Sequence, residues 1–492
     1  MTKRGIGLVL GLLLFAVLLA RPAPPGMTPE AARAAAVALL MATWWITEAI
    51  PIAATALLPI ALYPLLGVMG GKATAKAYGD HNVFLFMGGF FIAMAMQKWN
   101  LHKRIALAIV SVVGDSPRTI MLGFMCATAF LSMWISNTAT TMMMIPIAIA
   151  VLSQAAEEVR KGSFAPALML GVAYSASIGG LGTLIGTPPN VIFAGAVEKL
   201  FPEMGEIGFL RWMTAAVPLV VLFLPITWIY LTRVAFRVPS GRDCRVAGGK
   251  SAVRQELAAL GKMSRGERYT LTVFILTALG WAFRRDIDLG AFVIPGWSDL
   301  LGIADLVTDA TVAIFAAIVL FALPVDLKKG EFALDWNWAS RIPWGVLLLF
   351  GGGFALAASF RETGLDQWVG DWLKAAAGLP TVLLMLLVCL MMTFLTELTS
   401  NTATASMAMP VLGSTAAVAG LNPLLLMIPA TLSASCAFML PVATPPNAIV
   451  FGSGSVTIPQ MARTGLGLNI IGALLVTGVT YCVAVPVFGI SW

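Results

Sequence analysis

Charge is what this chain has least of. Asp, Glu, Lys and Arg make up 11% of its 492 residues and hydrophobic residues 59%, whereas a soluble domain carries about 25% charged residues. There are two histidines and five cysteines. Cys126, Cys244, Cys389, Cys436 and Cys482 show no pairing or metal-ligand spacing, and four of them lie in apolar segments, where they read as small buried hydrophobes. These shortages weigh against an enzyme. Nothing clusters His, Asp, Glu or Cys for acid–base, metal or nucleophilic work, no nucleotide-binding loop is present, and no organic cofactor is expected. The net charge of +7 does not point to nucleic acid, because many of the Lys and Arg residues lie in loops, as membrane topology requires.

Charge is absent from 119–156 and 162–197, and Glu397 is the only charged residue in 375–462. A helical span takes about 20 apolar residues, so such runs belong in a bilayer or in the core of a helical bundle. The reading is an all-α polytopic protein, multi-pass in the cell's inner or plasma membrane. Residues 1–20 resemble a signal peptide, with Lys3 and Arg4 before an apolar run, but the many later spans favour an uncleaved first helix.

Along the chain, an N-terminal region (1–30) with a span at 5–21 precedes a long stretch, 31–69, broken at Pro51. A span at 83–99 carries Gly88-Gly89, and a shorter segment covers 104–113. Residues 119–155 read as helix, Ser-Asn-Thr, helix; 165–200 as helix, Thr-Pro-Pro-Asn, short helix; 212–236 as a span. The hydrophilic segment 237–268 has eight Lys/Arg and three Asp/Glu, hence +5, and is expected to be a cytoplasmic basic loop. Spans at 269–285 and 305–324 follow, then a Trp-rich amphipathic piece at 331–341 and a segment carrying Gly351-Gly352-Gly353. The series closes with 381–417, 424–455 and a last span at 465–488.

Two polar motifs occur twice. Ser136-Asn137-Thr138 and Ser400-Asn401-Thr402 are 264 residues apart, followed at matching offsets by Met143 and Pro146, Met407 and Pro410. Gly186-Thr187-Pro188-Pro189-Asn190 returns as Ala443-Thr444-Pro445-Pro446-Asn447. Chance similarity between apolar helices produces Leu, Ala and Val matches, not polar motifs in order, so the chain is read as a duplication. Repeat 1 covers 31–236, with hairpin and broken helix at 118–236 after helices to about 115. Repeat 2 covers 269–492, with hairpin, broken helix and last span at 381–492 after helices to about 375. An odd number of spans per repeat inverts the second, which puts a site near mid-membrane at the repeat interface. One conflict arises: if 31–69 crosses once, Lys98, His102, Lys103 and Arg104 fall on the outer side, away from the basic loop.

Three polar residues in the middle of an uncharged run suit the tip of a re-entrant hairpin, because non-helical backbone at membrane depth must be covered by protein or water. Such a tip joins carbonyls with partial negative charge to N–H groups with partial positive charge. Carbonyl, hydroxyl and amide oxygens suit a small hard cation, while N–H groups, Thr hydroxyl and Asn amide hydrogens suit a carboxylate or other oxyanion. Proline starts a helix without needing its missing N–H, so Pro188-Pro189 and Pro445-Pro446 should each open a second half-helix. With no Lys or Arg in the uncharged runs, an anion's charge must be met by helix ends, hydroxyls, amides and a co-bound cation such as Na⁺. The bland alternative, Ser, Thr and Asn as interhelical hydrogen-bond glue at about 0.6 kcal/mol each, does not explain the paired motifs.

At these residues, together with Trp44-Trp45-Ile46-Thr47-Glu48-Ala49-Ile50-Pro51 and Thr55-Ala56-Leu57-Leu58-Pro59, the chain resembles the divalent anion/sodium symporter family, carriers of dicarboxylates, citrate and sulfate. The resemblance covers nearly the whole chain. It implies an inverted repeat of about eleven transmembrane helices plus two re-entrant hairpins, a homodimer in the bilayer, and a transport domain moving elevator-fashion against a scaffold. It implies a first sodium site at Ser132, Ser136, Asn137 and Gly186, and a second at Thr396, Ser400, Asn401 and Ala443. It places the dianionic substrate at Ser136, Asn137, Thr138, Thr187, Pro188, Ser400, Asn401, Thr402, Thr444 and Pro445. The function implied is Na⁺-coupled carriage of C4-dicarboxylates such as succinate, fumarate and malate. The alternatives are sodium-independent dicarboxylate exchange and sulfate or citrate symport; a channel would instead need a continuous polar pathway.

Other residues carry weaker signals. Glu397, alone in its region, is a functional candidate or a structural anchor for the hairpin. Glu48 reads as a helix-packing anchor, and His81 and His102 as solvated loop-edge residues. Trp336, Trp338 and Trp344 with Arg341 read as an interfacial anchor, and the glycine clusters as places of close helix packing.

Overall fold

Apolar runs fold as helices here, and they stop at residues that cannot continue one. The computed structural model describes residues 2–112, 114–153, 162–239, 249–288, 292–373 and 379–490. Cys244, the centre of the basic loop (240–248) and the boundary expected near 375 lie outside the described residues. The first helix, Lys3–Ala20, packs along Pro29–Thr47, with Gly7 against Thr47 and Gly11 against the Trp44 indole. The stretch 31–69 breaks where expected: Pro29–Thr47 ends at Glu48, whose backbone is left-handed at φ 50°, and Ile52–Thr55 and Leu58–Leu66 follow. Glu48 is therefore a helix terminator. Its carboxylate is largely exposed and 3.9 Å from Arg4, which corrects the packing-anchor reading.

The span expected at 83–99 is longer, with Gly71–Tyr78 and His81–Lys98 nearly continuous across an Asp80 cap. Leu101–Ser111 follows. The first helix pair is Pro117–Ser132 and Asn137–Ser153, and the first broken helix is Phe164–Gly180 and Pro188–Leu200. Phe209–Ile229 closes this half with a π-turn. The second half runs Arg265–Ala282, Asp309–Ala322, Trp344–Thr363 and Leu365–Leu373. It then repeats the helix pair as Thr381–Thr396 and Asn401–Val418, the broken helix as Leu424–Ala434 and Pro445–Gly452, and the last helix as Ile458–Val479, again with a π-turn. Among the described residues four helices are long and apolar enough to cross a membrane: Gly71–Lys98, Phe209–Ala235, Trp344–Thr363 and Ile458–Val487.

The halves interlock crosswise. Pro188–Leu200 packs on Asn401–Val418, and Pro445–Gly452 packs on Asn137–Ser153. The Tyr174 hydroxyl donates to the Phe438 carbonyl at 2.8 Å, joining the half-helix Phe164–Gly180 to the second break. Glycines permit the closest crossings. Gly88 lies on Ala313, Gly351 on Tyr78 and Gly352 on Ala56, while Gly89 and Gly353, 264 residues apart, face Ile185 and Ser406.

Several expectations are corrected. The basic loop contains the helix Gly249–Ala259, and the next helix begins inside it at Arg265, fixed by a Ser264–Glu267 capping box. Two short β-hairpins, Ile287-Asp288 with Val293-Ile294 and Pro324–Asp326 with Glu331-Phe332, interrupt the helical pattern. Cys389 and Cys436 are buried, but Cys126 is half-buried and Cys482 exposed. His81 and His102 are half-buried rather than solvated: His81 lies between Asp80 and Glu198, and His102 Nδ1 is 3.0 Å from the Met96 carbonyl.

The charge conflict at 98–104 also resolves. Lys103 pairs with Glu256 at 2.8 Å and Arg104 with Glu267 at 2.6 Å, so this cluster sits at the same end of the molecule as the basic loop. Lys98 pairs with Asp335 at 2.8 Å, where Asp335 caps the short Trp336–Ala339 helix. Burial acts to raise the Asp335 carboxyl, but Lys98 and the backbone N–H groups of that cap hold it below the ordinary carboxylate range. The Trp-rich piece fits its anchor reading: Trp336 and Trp344 are exposed, and Arg341 stacks 4.3 Å from the Trp338 ring.

One buried ionic node ties the halves together at a helix end. Arg284 Nε donates to Asp309 Oδ1 at 2.6 Å, its Nη2 to Glu206 at 2.9 Å, and its Nη1 to the Val307 carbonyl at 2.8 Å; Phe209 N donates to Asp309 Oδ2 at 2.7 Å. Arg284 and Asp309 side chains are each 3% exposed. Removing one member leaves a buried charge unpaired, which costs about 3–5 kcal/mol. Arg284→Met is expected to lower the melting temperature of the purified protein by that equivalent, and Arg284→Lys to recover part of it; an unchanged melting curve for Arg284→Met would remove the node's role.

Candidate functional site: paired helix tips and helix breaks

Both Ser-Asn-Thr motifs sit where one helix ends and the next begins. Ser132 closes the first helix and Asn137 opens the second; Thr396 and Asn401 do the same in the other half. Ser132 Oγ donates to Asn137 Oδ1 at 2.6 Å, and Thr396 Oγ1 donates to Asn401 Oδ1 at 2.7 Å. The donors are wholly buried while the Asn side chains are half-buried at the tips. This bond orients each amide. Its oxygen is held toward the preceding helix end, and its Nδ2 donates to no described group.

The tips are not identical. Ser136 Oγ accepts from Ala139 N at 3.3 Å, an N-cap bond. Ser400 makes no such bond, and no described group engages the hydroxyls of Thr138, Ser400 or Thr402. Each tip therefore offers unpaired helix-start N–H groups together with Asn amide hydrogens and Thr hydroxyls.

The breaks are built by a residue to which the sequence reading assigned no role. Asn190 is fully buried, and its Nδ2 donates to the carbonyls of Gly180, Leu181 and Thr183 at 3.1, 3.3 and 2.7 Å. Asn447 is equally buried and donates to Ala437 and Leu440 at 3.1 and 3.0 Å. Both clamps reach back ten and seven residues. They satisfy the carbonyls that a broken helix strands, which is why Asn ends the motif. Pro188 and Pro445 open the second half-helices as expected.

The first break meets the first tip. A Cβ built on Gly180 would stand 2.7 Å from Asn137 Oδ1 and 3.1 Å from the Gly186 carbonyl, so these two oxygens converge over Gly180. Thr183 Oγ1 donates to the Met133 carbonyl at 2.5 Å and fastens break to tip. In the other half, the Thr396 hydroxyl shares its one hydrogen between Asn401 Oδ1 at 2.7 Å and the Ala434 carbonyl at 2.8 Å. Among the expected residues, Ser132, Asn137 and Gly186 thus come together, as do Thr396 and Asn401. Thr187 is buried and lies 3.3 Å from Ser435 Oγ across the two halves. Thr444 caps its own helix at Asn447 N, and Ala443 is buried while Pro445 is exposed.

Glu397 proves to be the anchor. Its Oε1 accepts from Phe438 N at 2.7 Å, Met439 N at 2.8 Å and Asn469 Nδ2 at 2.8 Å, and its Oε2 accepts from Leu440 N at 3.0 Å. The carboxylate at the second tip fills a nest of backbone donors in the second break, with the last span supplying Asn469. That leaves Glu397 no part in facing an anion. Asn469, a buried amide midway along the last helix, was the signal that could have exposed this arrangement.

Chemically, each half pairs an oxygen-rich pocket of hydroxyl, amide and carbonyl groups with a donor-rich tip. The oxygens can hold a small cation and the donors an oxyanion, with no side-chain ammonium or guanidinium at the tips. Such paired tips and breaks in an apolar helical bundle define a membrane transporter. The sodium:sulfate symporter transmembrane region matches residues 2–488, and the chain belongs to that family. It is 43% identical to a sodium-dependent dicarboxylate transporter SdcS of Staphylococcus saprophyticus, across 99% of this chain and 92% of that one. A Staphylococcus aureus protein of the same name is 44% identical over the same shares. Among solved structures, the fold is similar to the YdaH transporter of Alcanivorax borkumensis (TM-score 0.55, 14% identity, 97% of this chain and 96% of that one). It is also similar to MtrF of Neisseria gonorrhoeae (TM-score 0.57, 12% identity, 99% and 96%). The chain is thus an integral, multi-pass membrane protein of a symporter family and not an enzyme.

Proposed function

We propose that this protein carries C4-dicarboxylates such as succinate, fumarate and malate across the membrane, driven by Na⁺. The observation that carries the reading is the twice-made bond from a buried hydroxyl to the tip Asn, Ser132 to Asn137 and Thr396 to Asn401. It turns each amide so that its oxygen joins a cation cage and its hydrogens face an anion. Relatives of this length and identity that are named sodium-dependent dicarboxylate transporters support the same substrate class.

In this reading Ser132, Ser136, Asn137 and Gly186 hold one Na⁺, and Thr396, Ser400, Asn401 and Ala443 hold a second. The dianion lies between the tips, on Ser136, Asn137, Thr138, Ser400, Asn401 and Thr402, flanked by Thr187-Pro188 and Thr444-Pro445. Each Na⁺ offsets part of the cost of taking the anion's charge out of water, so bound Na⁺ raises the affinity for the anion. Pro117–Ser132 and Thr381–Thr396, at 16 residues each, fall short of the about 20 needed to span, which supports re-entrant hairpins. Gly89 and Gly353, facing Ile185 and Ser406 in the breaks and tips, suit a smooth surface where a transport domain moves against a scaffold, elevator-fashion, within a homodimer of inverted-repeat protomers.

The test is labelled succinate uptake into proteoliposomes under an inward Na⁺ gradient, with K⁺ as control. Uptake only with Na⁺ is expected. Uptake that instead requires internal unlabelled succinate and ignores Na⁺ would make the protein an exchanger, and uptake of sulfate or citrate in place of succinate would reassign the anion.

A further inference from the structure

The two halves differ at a position outside the repeated motifs. Asn190 and Asn447 make matching bonds ten and seven residues back, so Gly180 and Ala437 are equivalent, as are Gly186 and Ala443. In the first half a methyl at either position would force a neighbour to shift. One on Gly180 would stand 2.7 Å from Asn137 Oδ1 and 3.1 Å from the Gly186 carbonyl, and one on Gly186 would run into the Gly180 carbonyl. Non-bonded contacts with carbon settle near about 3.5 Å or more, so the Gly180 wall is as close to those oxygens as backbone alone allows. The second half carries both methyls, with Ala437 wholly buried and Ala443 7% exposed.

We propose that residue 180, and its counterpart 437, set the size of the two cation sites. The inference rests on the sodium-site reading above and extends it. At Gly180 the wall beside Asn137 Oδ1 and the Gly186 carbonyl carries no side chain of its own, only the Asn137 amide facing it, so the first site accepts an ion as large as Na⁺. At Ala437 a methyl occupies the equivalent wall and leaves a narrower second site. Cation preference in such cages follows cavity size and the field of the oxygens, so the first site discriminates against the smaller Li⁺ more strongly than the second. Gly180 supplies no side-chain ligand; it is a specificity-determining residue because it has none.

The test measures apparent dissociation constants for Na⁺ and Li⁺ from the thermal stabilisation each gives the detergent-purified full chain. A methyl added at the first site is expected to shift preference toward Li⁺: in Gly180→Ala the ratio Kd(Li⁺)/Kd(Na⁺) falls by at least about threefold. A methyl removed from the second is expected to do the opposite: in Ala437→Gly the ratio rises by at least about threefold. A general packing fault weakens both ions alike and leaves the ratio in place, so opposite shifts are the signature of size control. Should Gly180→Ala fail to fold, Ala437→Gly decides alone, and a wild-type ratio in it overturns the proposal. Loss of the underlying site reading looks different: the wild-type protein then gains no stability from Na⁺, or Asn137→Ala retains the full gain.

Discussion

Asn137→Ala and Asn401→Ala are each expected to reduce sodium-driven succinate uptake to background while the purified protein stays folded. Truncation removes both ends of an amide whose oxygen is bonded 2.6 or 2.7 Å from a buried hydroxyl and whose hydrogens engage no other described group. A hydrogen bond to a charged group contributes about 1.5–3 kcal/mol, and each 1.4 kcal/mol is about a tenfold change. Losing an anion contact and a cation ligand together therefore costs about two orders of magnitude or more. The two variants should differ in stability. Asn137→Ala strands the buried Ser132 hydroxyl, at about 1–3 kcal/mol, whereas Thr396 keeps its bond to the Ala434 carbonyl when Asn401 is removed. Wild-type uptake in either variant would dismiss the proposed site, and equal melting temperatures would dismiss the asymmetry.

Glu397→Ala is expected to damage folding severely. Three consecutive backbone N–H groups, Phe438 to Leu440, and the Asn469 amide converge on this carboxylate, which is 3% exposed. Without it four buried donors lose their acceptor, and the second break loses its tie to both the second tip and the last span. Breaking a buried charged network of this kind costs about 3–5 kcal/mol, a large part of the about 5–15 kcal/mol that holds a typical protein folded. Glu397→Gln keeps one acceptor oxygen but turns an amide donor toward donors, so it should fall between Ala and wild type. Size-exclusion profile and melting temperature in detergent are the measurements. A Glu397→Ala protein as monodisperse and as heat-stable as wild type would show that the nest does not need its anion.

Much of this arrangement is visible in the residue order. Uncharged runs, Pro after Thr, and a polar triplet in mid-run are local signals, and helix ends at Ser132, Gly180, Thr396 and Ala434 answer to them. The return of both motifs in the same order then points to a duplication without any coordinate. The Ser132 and Thr396 hydroxyls were singled out by the resemblance, and the structure bonds them to Asn137 and Asn401. Other features gave no local trace. The helix inside the basic loop has a polar composition that hides its periodicity, and the two β-hairpins are too short for an alternating pattern to register.

The amino-acid order by itself determined that the chain lies in a membrane, that its two polar motifs recur in the same order, and where its helices break, because hydropathy and backbone preference act over a few neighbouring residues. Only the tertiary structure decided what the polar side chains do. Asn190 and Asn447 spend their amides on stranded carbonyls, Glu397 fills a nest assembled from residues about 40 and 70 positions away, and Thr187 meets Ser435 from the opposite half. Lys103 and Arg104 find Glu256 and Glu267 at the end of the basic loop, which sets that cluster beside it. In an apolar interior each buried donor or charge must find a partner wherever the fold brings one, and that partner is set by packing across the chain rather than by spacing along it.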